Sequence, residues 1–172
     1  MNEILLLYLL LKGKNTMYGL SKLCTKYFGF IIKPSYGAVQ PALKKLEKNK
    51  YITSEKFITE GGKPYFYYSI TEDGTKHLKE KLLSKLHASP VQMYPSVKVR
   101  IICSDILNAE EQKELFTLLK TQLLKIQQTA NNTLTSDIYN DNYKAKMVLD
   151  NTVCEYKNTI DMIERFENAC NR

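Results

Sequence analysis

The residues that interrupt helices are confined to one half of this chain. All 7 glycines lie between Gly13 and Gly74, and the last of the 5 prolines is Pro95, so residues 96–172 hold neither. Gly and Pro are the residues that most disfavour a helix interior. Their absence predicts a second half made of a few long helices, and leaves the turns and any strand pairing to the first half. Charge divides at nearly the same place. Residues 1–88 carry 15 Lys/Arg against 7 Asp/Glu, whereas residues 89–172 carry 10 against 11. The +7 surplus therefore belongs to the first half, the pattern of a polyanion-binding domain joined to a neutral partner domain. Two domains are expected, 1–88 and 89–172.

Hydrophobic periodicity places the elements. Residues 3–12 form a first helix that is apolar almost all round and must be buried on most sides. Asn15-Thr16 offers a cap to a second helix, Met17 to Phe28, with Leu20, Leu23 and Cys24 on one face. Ser35 caps a third helix running to about Asn49. Within it Val39, Leu43 and Leu46 recur at core spacing, while Tyr36, Gln40, Lys44 and Lys48 make an outward stripe at every fourth residue. Pro41 removes one helical hydrogen bond and clashes with the carbonyl of Gly37, close enough to the helix start for a bent first turn to absorb it.

Tyr51–Thr59 and Tyr65–Ile70 are rich in aromatic and β-branched residues, and Gly61-Gly62 between them supplies the positive φ angles of a hairpin turn. Thr71 caps a fourth helix with Glu72 and Asp73 in its first turn and Leu78, Leu82 and Leu86 as its stripe. Ala88–Pro95 reads as a linker. A helix opening near Asn108 carries Leu115, Leu119, Leu123 and Ile126, residues 131–136 read as a loop, and the last helix spans about 138–169. In that helix Leu149, Val153, Tyr156, Ile160 and Ile163 form a coiled-coil-like seam, read here as the dimerisation surface.

Helix, helix, helix, hairpin, helix is the order of a winged helix-turn-helix. The fold class is thus mainly α with a small β-hairpin: a winged helix-turn-helix DNA-binding domain followed by a C-terminal helical dimerisation domain. In that architecture the third helix enters the major groove. Gln40 suits an adenine edge, Lys44 a guanine edge or a phosphate, and Ser35 and Tyr36 a phosphate at the helix start. Lys33, Lys45 and Lys48 add charge around that helix. Lys56 and Lys63 belong to the wing and reach backbone or minor groove.

The chemistry of catalysis and metals is missing. The two histidines, His77 and His87, are ten residues apart and are not a metal pair on one helical face. No P-loop, G-x-S-x-G or G-x-G-x-x-G occurs, so no catalytic residue and no cofactor is assigned. The cysteines at 24, 103, 154 and 170 form no C-x-x-C and read as small core residues. The apolar run Ile4–Leu11 is far shorter than the about 20 residues a membrane span needs. Its N-terminal flank is Glu3 and not a basic region, and Lys12 closes it without a cleavage site, so a cytoplasmic protein without membrane association is expected.

The stretches MYGLSKL at 17–23, KPSYGAVQPALKKLEKNKYI at 33–52 and YYSITEDG at 67–74 resemble the PadR family of bacterial transcriptional regulators. The resemblance covers the first half, and the second half is similar in length and character. It implies a homodimeric winged-helix regulator, usually a repressor, on an inverted-repeat operator in double-stranded DNA, and in many relatives a small aromatic effector that releases the DNA. Tyr94, Phe116, Tyr139, Tyr143 and Phe166 are candidates to line an effector pocket, with dimer core as the competing role. Two departures stand out. Gln40 occupies a position where relatives commonly have Tyr, and Tyr65-Phe66 stand where relatives commonly have basic residues. The first points to a different operator preference, and the second to weaker phosphate contacts at the wing. The alternative from another class is a winged-helix protein–protein interaction module without specific DNA binding.

Overall fold

The computed structural model describes residues 1–32, 34–86 and 90–170, with the side chains of residues 90, 91 and 170 left aside. Contacts divide the chain into two compact units, Met1–Ile106 and Leu107–Arg172. The first unit runs through the expected linker to Ile106, because residues 90–106 are helical and bonded to the rest of it.

In the first unit α1 spans Asn2–Leu11, β1 Asn15–Thr16, α2 Met17–Phe28, α3 Tyr36–Lys48, β2 Ile52–Ile58, β3 Pro64–Ile70, α4 Glu72–Leu83 and α5 Pro90–Ile102, ending in a 3-10 turn at Cys103–Ile106. α1 is the central post. Ile4, Leu5, Leu6, Leu7, Leu9 and Leu10 are all buried, and α2, α3, α4 and β3 all pack on it. A helix apolar on every side has no other stable place. Thr16 caps α2, its hydroxyl accepting from the Gly19 N–H at 3.1 Å. Thr71 does the same for α4 with the Gly74 N–H at 3.0 Å. α3 ends on Lys50, a non-glycine residue in the left-handed region at φ 61°. There the Tyr51 N–H donates to the Leu46 carbonyl at 3.0 Å, and the chain turns straight into β2.

The sheet is three-stranded and antiparallel, ordered β1-β3-β2. The hairpin register pairs Ile52 with Ile70 and Ile58 with Pro64, and the two residues of β1 add to β3 through Asn15 with Tyr68 and Thr16 with Tyr67. β1 was not expected, since two residues carry no periodicity. At the hairpin tip only Gly62 takes a positive φ, 74°. The turn is closed by the Thr59 N–H on the Lys63 carbonyl at 3.0 Å and the Lys63 N–H on the Thr59 hydroxyl at 3.1 Å, so Gly61 is not needed in the left-handed region.

Three further expectations are corrected. Pro90–Pro95 is not linker but the start of α5. Pro90 is its first residue, where a missing N–H costs nothing, and Pro95 is its sixth, as Pro41 is in α3. The linker residues 88–89, like His87, lie outside the described residues. Leu86 lies beyond α4, which stops at Leu83 and leaves Leu78 and Leu82 as its buried stripe. The third correction falls in the second unit, formed by α6, Ala109–Leu134, and α7, Tyr143–Cys170, with a 3-10 turn at Asp137–Tyr139 between them. α6 continues through most of the expected 131–136 loop. There Thr133 and Thr135 donate their hydroxyls to the carbonyls of Thr129 and Asn131, so their polarity is spent on the helix itself. α7 begins at Tyr143 instead of Ile138 because Asn142 caps it, accepting from the Ala145 N–H at 3.0 Å. Asn108 and Glu111 form a capping box at the start of α6. The two helices pack along Leu115, Phe116, Leu119 and Leu123 against Tyr156, Ile160 and Ile163, all buried.

Among the described residues no helix is long and apolar enough to cross a membrane.

Candidate nucleic-acid interface

α3 is held by its inner face and offered by its outer one. Val39, Leu43 and Leu46 are buried. Ser35, Tyr36, Gln40, Lys44 and Lys48 are exposed, Tyr36 to 52%. The stripe stands proud because three apolar residues anchor the helix from behind. Ser35 occupies the N-cap position with an extended backbone, yet its side chain makes no cap hydrogen bond. That leaves the hydroxyl and the N–H groups of Tyr36 and Gly37 for an external anion, the Ala38 and Val39 N–H groups being taken by the Ser35 carbonyl.

The wing has two faces. On one, Phe57, Tyr65 and Tyr67 form an aromatic cluster with centroids 5.5–5.7 Å apart, and the Lys14 ammonium stands 5.8 Å from the Tyr67 ring. On the other, Ser54, Lys56, Phe66 and Tyr68 alternate by register. This second face is the one that meets α3: the Ser54 hydroxyl bonds the Glu47 carboxylate. Burial, with the Glu47 carboxylate nearby, pushes the Tyr68 phenol up. Lys56 therefore shares a side with the α3 junction. Lys63 is exposed at the hairpin tip. Lys33 lies outside the described residues.

Lys45 behaves differently from its neighbours. Its ammonium is 2.6 Å from Glu3 of α1, an ion pair that ties α3 to the central post. Burial tends to raise the Glu3 carboxyl, but the Lys45 hydrogen bond and the charges of Lys45, Lys81 and His77 outweigh it, holding the group below its ordinary value of 4.5. A carboxyl depressed in the fold contributes stability above that value and loses it as pH falls through the folded pKa. Glu3→Gln should flatten the stability profile below about pH 4.5, read as urea midpoints measured between about pH 3 and 6.

The expected dimer seam is largely occupied within the chain. Tyr156, Ile160 and Ile163 are buried against α6, while Leu149 and Val153 are half-buried. The exposed apolar residues of α7 are Tyr143, Met147, Val148 and Phe166. Phe116 and Phe166 stack at 6.3 Å within the second unit, but Tyr143 is the first residue of α7 and Phe166 lies about 34 Å along it at 1.5 Å per residue. The first unit does hold an aromatic cavity of about 420 Å³, lined by Tyr8, Leu23, Tyr27, Phe28 and Ile102 with Lys12 at hand. Sequence spacing could not show it, because its walls come from α1, α2 and α5. Lys12 and the Tyr8 hydroxyl both bond Asp105, at 2.7 and 3.1 Å. Among the described residues no group of three or more His, Cys, Asp or Glu is placed to hold a metal.

Residues 6–80, from α1 to most of α4, match the family model of the transcriptional regulator PadR-like family. A transcriptional regulator from Clostridium thermocellum is 32% identical over 46% of this chain and 76% of its own, with a TM-score of 0.43. The chain belongs to the PadR-like family. A PadR-like regulator from Bacillus cereus is 28% identical, covering 45% of this chain and 74% of its own, with a TM-score of 0.38. PadR of Bacillus subtilis, solved with operator DNA, is 17% identical over 98% of both chains, with a TM-score of 0.47. The same protein solved with p-coumaric acid is 18% identical, covering 99% of this chain and 95% of its own, with a TM-score of 0.41. Among curated proteins none matches this chain. The PadR-like match ends before α5, so the second unit and the last helix of the first lie outside it.

Proposed function

We propose that this PadR-like chain is a sequence-specific DNA-binding repressor, acting in the cytoplasm as a homodimer on an inverted-repeat operator. The observation that carries the reading is the exposed Tyr36-Gln40-Lys44-Lys48 stripe on a helix anchored by Val39, Leu43 and Leu46. It stands beside a wing face that presents Lys56. In this reading Gln40 contacts a base edge, while Lys44, Lys48, Lys56 and Lys63 meet phosphates. Residues 1–88 form the reading head. The second unit presents two copies of it to the DNA, with Leu149, Val153 and the exposed apolar residues of α7 available to a second chain. No step of this activity calls for a catalytic residue or a cofactor.

The ligand that releases DNA is, in this proposal, a small aromatic molecule. The cavity beside Tyr8, Tyr27 and Phe28 supports that class better than the scattered aromatics of the second unit do.

Sequencing the DNA fragments that the protein retains tests the core of the reading. A single palindromic motif with half-sites about one helical turn apart is expected. On that motif, Lys44→Ala weakens binding to all sequences and lowers the salt slope by about one. Gln40→Ala relaxes preference at one base position, about 1–3 kcal/mol. DNA bound no better than random fragments at moderate salt sinks the specific-regulator reading. Partner-protein binding that survives charge reversal at Lys44 and Lys48 favours the interaction-module alternative instead.

A further inference from the structure

A cleft of about 630 Å³ opens in the first unit where α1, α3, α4 and α5 meet, well apart in chemistry from the aromatic cavity. Its charged lining is one-sided. Lys45, Lys81, Lys85 and Arg100 face a single carboxylate, Glu3, and Glu3 is already paired with Lys45 at 2.6 Å. Among the described residues no carboxylate forms an ion pair with the other three cations.

Arg100 is the decisive member. It is only 4% exposed. Nη1 donates to the Leu82 carbonyl at 3.0 Å and to the Ser84 carbonyl, and Nη2 donates to the Ser84 hydroxyl at 3.3 Å. Nε is buried and has no partner. These neutral acceptors satisfy part of the hydrogen bonding, but none offsets the charge. Burial pushes the guanidinium down to about 10, the direction expected of a cation without a counter-ion. Removing a cation from water without an anion beside it is among the most costly arrangements in a fold. A structure that holds a buried guanidinium on the wall of an open cleft, with two more lysines on that wall, is arranged for an anion that arrives from outside.

We propose that this cleft binds a small phosphate-bearing polyanion of about nucleotide size, with Lys81 and Lys85 holding phosphate oxygens and Arg100 supplying fixed positive charge behind them. Three uncompensated cations call for more than one negative charge, which a single carboxylate does not supply. The volume falls in the range of small-molecule sites, roughly 300–1,000 Å³. Lysine is a common point-charge partner of phosphate. Pro41 and Lys45 line the cleft one residue on from Gln40 and Lys44, about 100° round α3. An occupant thus touches the flank of α3 and not its exposed stripe. The assignment stands whether or not that stripe reads DNA.

Isothermal titration of the full chain with pyrophosphate, and separately with acetate at matched ionic strength, tests it. Saturable binding of one pyrophosphate per chain is expected, with acetate at least tenfold weaker. The pair Lys81→Gln and Lys85→Gln, both on side chains outside the core, should weaken pyrophosphate at least tenfold with the helical signal unchanged. The pair Lys44→Gln and Lys48→Gln should leave it within twofold. Absence of saturable binding overturns the proposal, as does equal binding of acetate or equal loss in the α3 pair. Stoichiometric displacement of pyrophosphate by a short DNA duplex also overturns it, since the cleft would then serve a backbone phosphate of DNA and not a free ligand.

Discussion

Gly74→Ala lowers the stability of the first unit by about 3 kcal/mol, at the upper end of what overpacking usually costs. The reason is the identity of the atoms a methyl group would meet. A Cβ at Gly74 would sit 2.0 Å from the Tyr51 carbonyl oxygen and 2.9 Å from Ile70 Cγ1. The first of these is backbone and cannot swing aside. It is also in use, accepting from the Thr71 N–H at 3.0 Å, while the Thr71 hydroxyl donates to the Lys50 carbonyl at 2.8 Å. One corner therefore joins the end of α3, the start of β2, the end of β3 and the cap of α4, and a shift there is felt in all four. Gly19 supplies the contrast. A Cβ there would meet Asn15 Oδ1 at 1.8 Å, but that atom is the end of a side chain. Asn15 can rotate away at the loss of its bond to the Thr16 N–H, so Gly19→Ala should cost about 1 kcal/mol. Urea denaturation of both variants measures the difference. Equal midpoints for the two would show that the Tyr51 carbonyl is not held in place by this corner.

Phe116→Ala destabilises the second unit by about 3–5 kcal/mol. Phe116 is 2% exposed and stacks on Phe166, so the substitution leaves a cavity between α6 and α7. Tyr143→Ala on the same pair removes a ring that is 73% exposed, and changes stability by less than about 0.5 kcal/mol in the monomer. Denaturation followed by the helical signal compares them. A small effect at Phe116 would mean that α6 and α7 do not hold each other through these rings.

Both predictions depend on facts of differing legibility. α2 matched its expected bounds because a cap at Thr16 and a break at Gly29 are local events. The cap at Thr71, the helix start near Asn108, the buried Val39-Leu43-Leu46 face and the exposed Tyr36-Gln40-Lys44 stripe were legible for the same reason. α5 was not, because Pro90 and Pro95 suggest a break; at the first position of a helix proline removes nothing, and the one hydrogen bond lost at the sixth is offset by burial of Met93, Val97 and Val99. β1 was invisible, since its pairing partner lies more than fifty residues on. The Leu149–Ile163 spacing shows that one face of α7 is covered, but spacing is silent about whether the cover comes from the same chain. In the site, the Lys45–Glu3 pair and the one-sided charge of the cleft are products of tertiary contact. No run of residues announces either.

The strand order β1-β3-β2 sets an order of events as well as a shape. β3 meets β2 across a five-residue turn, so that pairing can close within about 1–10 μs of collapse. β1 must find the same strand across a long loop, at a larger entropic cost. Thr16 is both the last residue of β1 and the cap of α2. The strand pairing of β1 therefore waits for the hairpin, whereas the cap that Thr16 gives α2 is local and does not. Cleavage or deletion within the hairpin would take away the pairing partner of Asn15 and Thr16 some fifty residues upstream, and chain emerging from the ribosome could not close that pairing until β3 had followed it out.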